Sequence, residues 1–158
     1  MEKNAPGRSF LKVTGILCII YGVFLVLSTA GSMMSYQDMT SGNMTDEVMA
    51  VLEQSGVTSQ SLLFSIIYVA VGAVIFLVAG ILGVMYSKKT EKAGICVIMG
   101  ILLIVYFVFN FGYSAMTTGV TVAGIISTIV MLIVPFLYLW GGLKNKEVNE
   151  PQESEKTI

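Results

Sequence analysis

Residues 93–143 read AGICVIMGILLIVYFVFNFGYSAMTTGVTVAGIISTIVMLIVPFLYLWGGL, 51 residues without a charge between Lys92 and Lys144. About 20 apolar residues in a helix cross the hydrocarbon core of a bilayer. The run is more than twice that length, so it predicts two spans joined by a tight turn, placed at Met116-Thr117-Thr118-Gly119. Two further charge-free runs precede it, 34 residues between Glu53 and Lys88 and 25 between Lys12 and Asp38. Each suits one span. The chain has 158 residues, 55% hydrophobic and 12% charged, and a soluble domain of that length has no core large enough for such runs. The expected fold is all-α: a polytopic membrane protein, a four-helix transmembrane bundle. Its spans are expected at about residues 10–34, 61–86, 93–115 and 120–142, and a short extracytoplasmic helix is expected between spans 1 and 2.

The charges give an orientation. Nine Lys and Arg residues occur in the chain. Arg8 and Lys12 flank the first run with Lys3, Lys88, Lys89 and Lys92 lie between the second and third spans, and Lys144, Lys146 and Lys156 follow the fourth. The opposite side carries only Asp38, Asp46, Glu47 and Glu53. Cytoplasmic loops retain Lys and Arg, so both termini are expected in the cytoplasm and the chain in the plasma membrane. The bias is too strong for dual topology. Residues 1–9 read as a cytoplasmic tail and 144–158 as a charged, disordered one. Ser28-Thr29-Ala30 resembles a signal cleavage site, but the apolar run from Val13 to about Met34 exceeds a signal's apolar region, so an uncleaved span is expected.

Small residues mark where helices meet. Lipid supplies little hydrophobic drive between helices, so close backbone approach drives their association. Gly15, Cys18, Gly22, Thr29 and Ser32 form a stripe on the first span with Leu25. Ser65, Gly72 and Ala79 recur every seven residues on the second, where Ala79 and Gly83 form a small-xxx-small pair near Gly80. Cys96 and Gly100 serve the third span, and Gly119, Ala123 and Ser127 the fourth. These faces suit packing within the chain or against other chains. Tyr86, Tyr138 and Trp140 beside lysines read as anchors at one interface, and Tyr36 and Tyr113 at the other. Pro135 predicts a kink in the fourth span, and Gly141-Gly142 its end.

The loop of residues 35–60 has structure of its own. Thr45 is an N-cap candidate followed by Asp46 and Glu47, Met44 and Met49 stand at staple positions, and Gly56 suits a C-cap. Val48, Val51 and Leu52 give the intervening helix an apolar face. A helix of about ten residues is not stable alone in water. It must lie on the bilayer surface or cover the end of the bundle.

Chemistry has few places to reside. The chain has no histidine, and its charge-free runs carry no carboxylate, so proton-coupled pumps and aspartyl or Ser-His intramembrane proteases are disfavoured. No enzymatic activity and no cofactor are expected, and the mixed charges of the tail argue against nucleic acid. Cys18 and Cys96 read as packing residues on a reducing side, with reversible acylation as the lesser reading. Asn110 is the strongest polar signal within a span. It reads as an interhelical hydrogen bond or, in the functional alternative, as a pore-lining or ligand-binding amide near Thr117, Thr118 and Thr121. Ser65 and Tyr68, with Tyr21 and Tyr106, complete a possible polar seam. Met34, Met39, Met44 and Met49 recur every five residues. Thioethers select Cu(I), but that step does not share a helix face, and methionine is also an apolar filler; no metal site is expected. Asn43-Met44-Thr45 matches a glycosylation acceptor, relevant in a eukaryotic host.

Lys88-Lys89-Thr90-Glu91-Lys92-Ala93-Gly94-Ile95, then Met99-Gly100-Ile101-Leu102-Leu103, resembles the central hairpin of small four-span proteins of Gram-positive bacteria, a family of unknown function. Leu139-Trp140-Gly141-Gly142-Leu143-Lys144 is similar as well. The resemblance implies fold and topology and carries no activity. The paired loop cysteines of tetraspanins and the Trp and Cys signature of claudins do not occur here.

The leading expectation is a non-enzymatic accessory, scaffold or envelope component, contacting membrane lipids and a protein partner or a second copy. The alternative is a small oligomeric permeation protein with a polar outer-leaflet site near Asn110. A reporter fused after Ile158 is expected to be active only in the cytoplasm. Activity on the far side of the membrane would overturn the topology.

Overall fold

The computed structural model describes residues 5–148. Helix α1 (Arg8–Ser41), α2 (Asp46–Gln54), α3 (Ser59–Tyr86), α4 (Ala93–Thr118) and α5 (Val122–Glu147) follow one another, with a 3-10 turn at Thr90–Lys92 ahead of α4. No strand occurs among the described residues. Four of the helices are long and apolar enough to cross a membrane, and the fold is an all-α four-helix bundle with one short helix between the first two spans.

The helix ends have local causes. α1 passes the expected limit at Met34 because nothing breaks it before Gly42. Ser35, Thr40 and Ser41 turn their hydroxyls back onto the carbonyls of Gly31, Tyr36 and Gln37. Gly42 then adopts φ +71°, and the Asn43 N–H closes on Asp38 O at 3.2 Å. α2 ends in a Schellman arrangement: Gly56 has φ +68°, its N–H reaches Glu53 O, and Val57 N–H reaches Leu52 O, both at 3.0 Å. At its other end Thr45 occupies the N-cap in extended conformation, but its hydroxyl makes no capping bond. α3 is capped reciprocally instead, Thr58 N–H to Ser61 Oγ at 3.0 Å and Ser61 N–H to Thr58 Oγ1 at 3.1 Å. Serine here takes the place of the usual Glu or Gln of a capping box.

The connection between α4 and α5 falls later than Met116–Gly119. α4 continues through Thr118, and Gly119 at φ +80° releases the chain. Thr121 restarts it, its Oγ1 accepting from Gly124 N–H at 3.1 Å. α5 runs unbroken past Pro135 and past Gly141-Gly142 to Glu147. The two glycines therefore do not end the helix. Each costs up to about 1 kcal/mol of helix propensity, and their tertiary contacts outweigh that cost. Residues 144–148, expected in a disordered tail, belong to this ordered stretch; residues 149–158 lie outside the described residues.

The described chain forms two compact units, residues 5–20 with 75–148, and residues 21–74. The first holds the described Lys and Arg residues and segments of all four long helices. Its packing is at backbone distance. A Cβ added to Gly80 would stand 2.7 Å from Gly15 O and 2.8 Å from Ile19 N. One added to Gly100 would stand 2.9 Å from Leu139 Cα, and one on Gly142 3.1 Å from Val97 N. Gly141 abuts Phe10 and Leu11, and Gly83 faces the Tyr138 ring. Further along α3 and α4, Phe76, Tyr106 and Phe107 meet edge to face with centroids 5.6–6.1 Å apart. Cys18 and Cys96 are free thiols, both fully buried. The second unit comprises the remainder of α1, α2 and the start of α3, with Gly22, Leu25, Ile66, Gly72 and Ala73 buried.

Trp140 is exposed with Lys144 Nζ 5.8 Å above its ring, and Lys89 sits 5.9 Å from the ring of Tyr86. Tyr138, read as a third anchor of this kind, is instead fully buried and donates its hydroxyl to Ala79 O at 2.6 Å. The phenol fits because Gly83 leaves room for its ring.

Replacing Gly80 by leucine must part α1 from α3 and is expected to cost on the order of 1–3 kcal/mol. Gly94→Ala, where nothing lies within 4 Å of an added Cβ, is expected to be neutral or stabilising by under about 1 kcal/mol. Unfolding in mixed micelles distinguishes them, and equal losses would refute the packing account.

Candidate functional site

Two places in the first unit concentrate polar groups. One is the end of α4 and the start of α5. An open cleft of about 230 Å³ is lined there by Asn110, Ser114, Thr121, Ser127 and Thr128 among others. Its lining holds no charged side chain. Thr121 is committed to its capping bond, and Thr128 Oγ1 donates to Gly124 O at 2.8 Å. Asn110 and Ser127 are exposed. The arrangement offers hydrogen-bond donors and acceptors of fixed neutrality. It can receive an uncharged polar group or water, and it contains no acid–base pair.

The expected seam of Asn110, Ser65 and Tyr68 divides between the units. Ser65 and Tyr68 stand on α3 in the second, Ser65 exposed and Tyr68 half-buried. The side chains of Thr117 and Thr118 lie outside the described residues. The packing residues divide too. Gly15, Ala79 and Gly83 are buried in the first unit, and Gly22 and Gly72 in the second. Gly119, Ala123 and Ser127 are exposed. Gly119 is the turn glycine rather than part of a helix stripe, and the half-buried side of α5 at this level is that of Gly124 and Thr128.

The second place is the lysine-bearing end, where Asn145 is fully buried. Its Oδ1 accepts from Gly7 N–H at 2.7 Å, and its Nδ2 donates to Ser87 O at 3.0 Å. Gly7 N–H lies just ahead of α1, and Ser87 O just beyond α3. Helix ends leave such groups without intrahelical partners, and one carboxamide of α5 satisfies both. Gly7 is itself in close contact with Gly141 O. Ser87 Oγ turns onto Val84 O at 2.9 Å, and Thr14 Oγ1 onto Phe10 O at 2.6 Å. Among the described residues no buried side-chain nitrogen or oxygen is left without a partner.

Sequence reasoning missed Asn145 because it sits between Lys144 and Lys146 and reads as part of a solvated tail. A signal was present. Tyr138, Gly141-Gly142 and Asn145 continue one helix face at steps of three and four. Gly7, placed in a polar tail, had no local signal at all, since its partner is 138 positions away.

No family model, curated protein or solved structure matches the chain. The class must therefore be read from the molecule: a multi-pass α-helical protein with four spans long and apolar enough for a membrane.

Asn145→Ala orphans a buried N–H and a buried carbonyl, which is expected to cost roughly 1–3 kcal/mol. Asn110→Ala, on an exposed residue, is expected to change stability by less than about 1 kcal/mol. Micellar unfolding of both variants checks the contrast, and a larger loss at Asn110 would reverse the ranking of the two places.

Proposed function

We propose that the protein is a non-enzymatic accessory or scaffold component of the plasma membrane, with both termini in the cytoplasm. It works through its lipid-facing helix surfaces and its outer loop. One observation carries the choice over permeation. At the lysine-bearing half, Gly15 meets Gly80, Gly100 meets Leu139, and Gly142 meets Val97 at backbone distance. A solute path between those helices would have to separate main chains already in contact. The glycines are spent on closure.

Other features agree with this reading. The described cations flank helix ends, as they do in a protein held in one orientation. The charge-free runs hold no carboxylate or histidine to relay protons. Long faces of exposed apolar side chains, such as Ile126, Ile129, Val130 and Ile133 of α5, suit lipid or a partner helix. The resemblance of residues 88–103 and 139–144 to small four-span proteins of Gram-positive bacteria agrees with a multi-pass membrane component.

The cleft beside Asn110 favours a second reading, a neutral polar solute or lipid head group held at the far end of α4 and α5. It would act in permeation only if a second subunit extended the path.

Cross-linking in native membranes followed by mass spectrometry is expected to recover a stoichiometric protein partner, and purified protein in liposomes is expected to pass neither ions nor small polyols. Self-complexes alone would remove the accessory role. Flux that Asn110→Leu abolishes would replace it with the permeation reading.

A further inference from the structure

α2 joins two helices built to cross the bilayer, and none of its residues is buried. At 100° per residue, Val48, Val51 and Leu52 share one face with Met49 at its margin. Asp46, Glu47, Ala50, Glu53 and Gln54 share the other. The apolar face is only partly used within its unit. Leu52 and Met49 are half-buried, whereas Val48 and Val51 are 46% and 60% exposed. A helix folded down as a cover would turn those valines inward. The flanking helices show which medium reaches this level. Leu63 and Phe64, near the start of α3, are also exposed. On α1 the exposed Met33 and Met34 stand about two turns before the helix end, and Gln37 and Asp38 follow them at the surface. An apolar solvent thus reaches within a few residues of the loop on the α3 side.

We propose that α2 lies on the bilayer surface, with Val48 and Val51 in the boundary between head groups and acyl chains and its acids in water. The proposal rests on the membrane-spanning reading. It also specifies the lipid. The polar face carries Asp46, Glu47 and Glu53, and residues 13–87 contain no Lys or Arg. Interfacial helices usually add attraction between basic residues and anionic lipid to their apolar burial. Here burial acts alone and head-group charge opposes it, so α2 favours zwitterionic or neutral lipid over anionic lipid.

The chain has one tryptophan, so Trp140→Phe provides a silent background for single reporters. In bicelles of phosphatidylcholine with brominated acyl chains, Val51→Trp in that background is expected to lose about half its emission or more. Glu47→Trp is expected to keep its emission and to be quenched by aqueous acrylamide instead. Replacing half of the lipid by phosphatidylglycerol at low salt is expected to weaken bromine quenching at position 51, and added salt to restore it. Acrylamide quenching equally strong at both positions would place α2 in water and overturn the proposal. Protection of Val51→Trp from both quenchers would mean a protein cover, which also overturns it. Bromine quenching that ignores phosphatidylglycerol would remove the lipid preference. Trp140 of the unaltered chain reports insertion of the spans independently. If brominated lipid failed to quench it, the spanning reading itself would fall, and this proposal with it. Absence of a protein partner would leave the bicelle result unchanged.

Discussion

The carboxamide of Asn145 closes the lysine-bearing end of the bundle. A helix terminus placed inside a packed bundle brings N–H and C=O groups that water can no longer reach. The N–H of Gly7 and the carbonyl of Ser87 are two such groups, and they come from opposite kinds of helix end. A carboxamide carries a donor and an acceptor on one planar group. Aspartate would accept from Gly7 but could not donate to Ser87. Leucine would do neither. For Asn145 to reach both, α5 must remain helical across Gly141-Gly142, and those glycines must then lie against Phe10, Leu11 and Val97. The polar closure and the glycine contacts thus require one another.

The bundle uses different means along its length. Near the lysines, main chains touch through Gly15, Gly80, Gly100, Gly141 and Gly142, and the large Tyr138 ring is admitted only where Gly83 leaves space. Farther along, Phe76, Tyr106 and Phe107 fill volume by edge-to-face contact. Thr14, Thr29 and Thr128 turn their hydroxyls onto carbonyls of their own helices. At the connection of α4 and α5 the packing opens into an uncharged cleft. One half of the bundle is thus tightly packed with its buried polar groups satisfied, and one corner is open and polar.

Much of this was legible without coordinates, and particular residues show why. The three charge-free runs forecast four helices because bilayer thickness converts directly into residue count. Gly15, Ala79 and Gly83 were legible as contact residues because small side chains at helical spacing have one main use in lipid. The ends were less legible. α1 outran Met34 because polar residues can still be helical, and Ser35, Thr40 and Ser41 stabilise the extension by local bonds. Gly141-Gly142 looked like a terminator because propensity is a local quantity, and the contacts that override it come from α1 and α4. Gly119, Ala123 and Ser127 shared a spacing but not a burial, since spacing says which residues share a face and not whether another helix covers it.

The amino-acid sequence by itself determined the number of helices, their approximate limits and where along the chain the Lys and Arg residues stand. The first two follow from solvation, a property of one segment and its medium. The tertiary structure decided which glycines are contacts, that Tyr138 is core rather than anchor, and that Asn145 is a buried closure rather than a tail residue. The last two outcomes depend on backbone groups 58 to 138 positions distant. No local pattern encodes such partners, because a hydrogen bond across the bundle exists only once the helices have met.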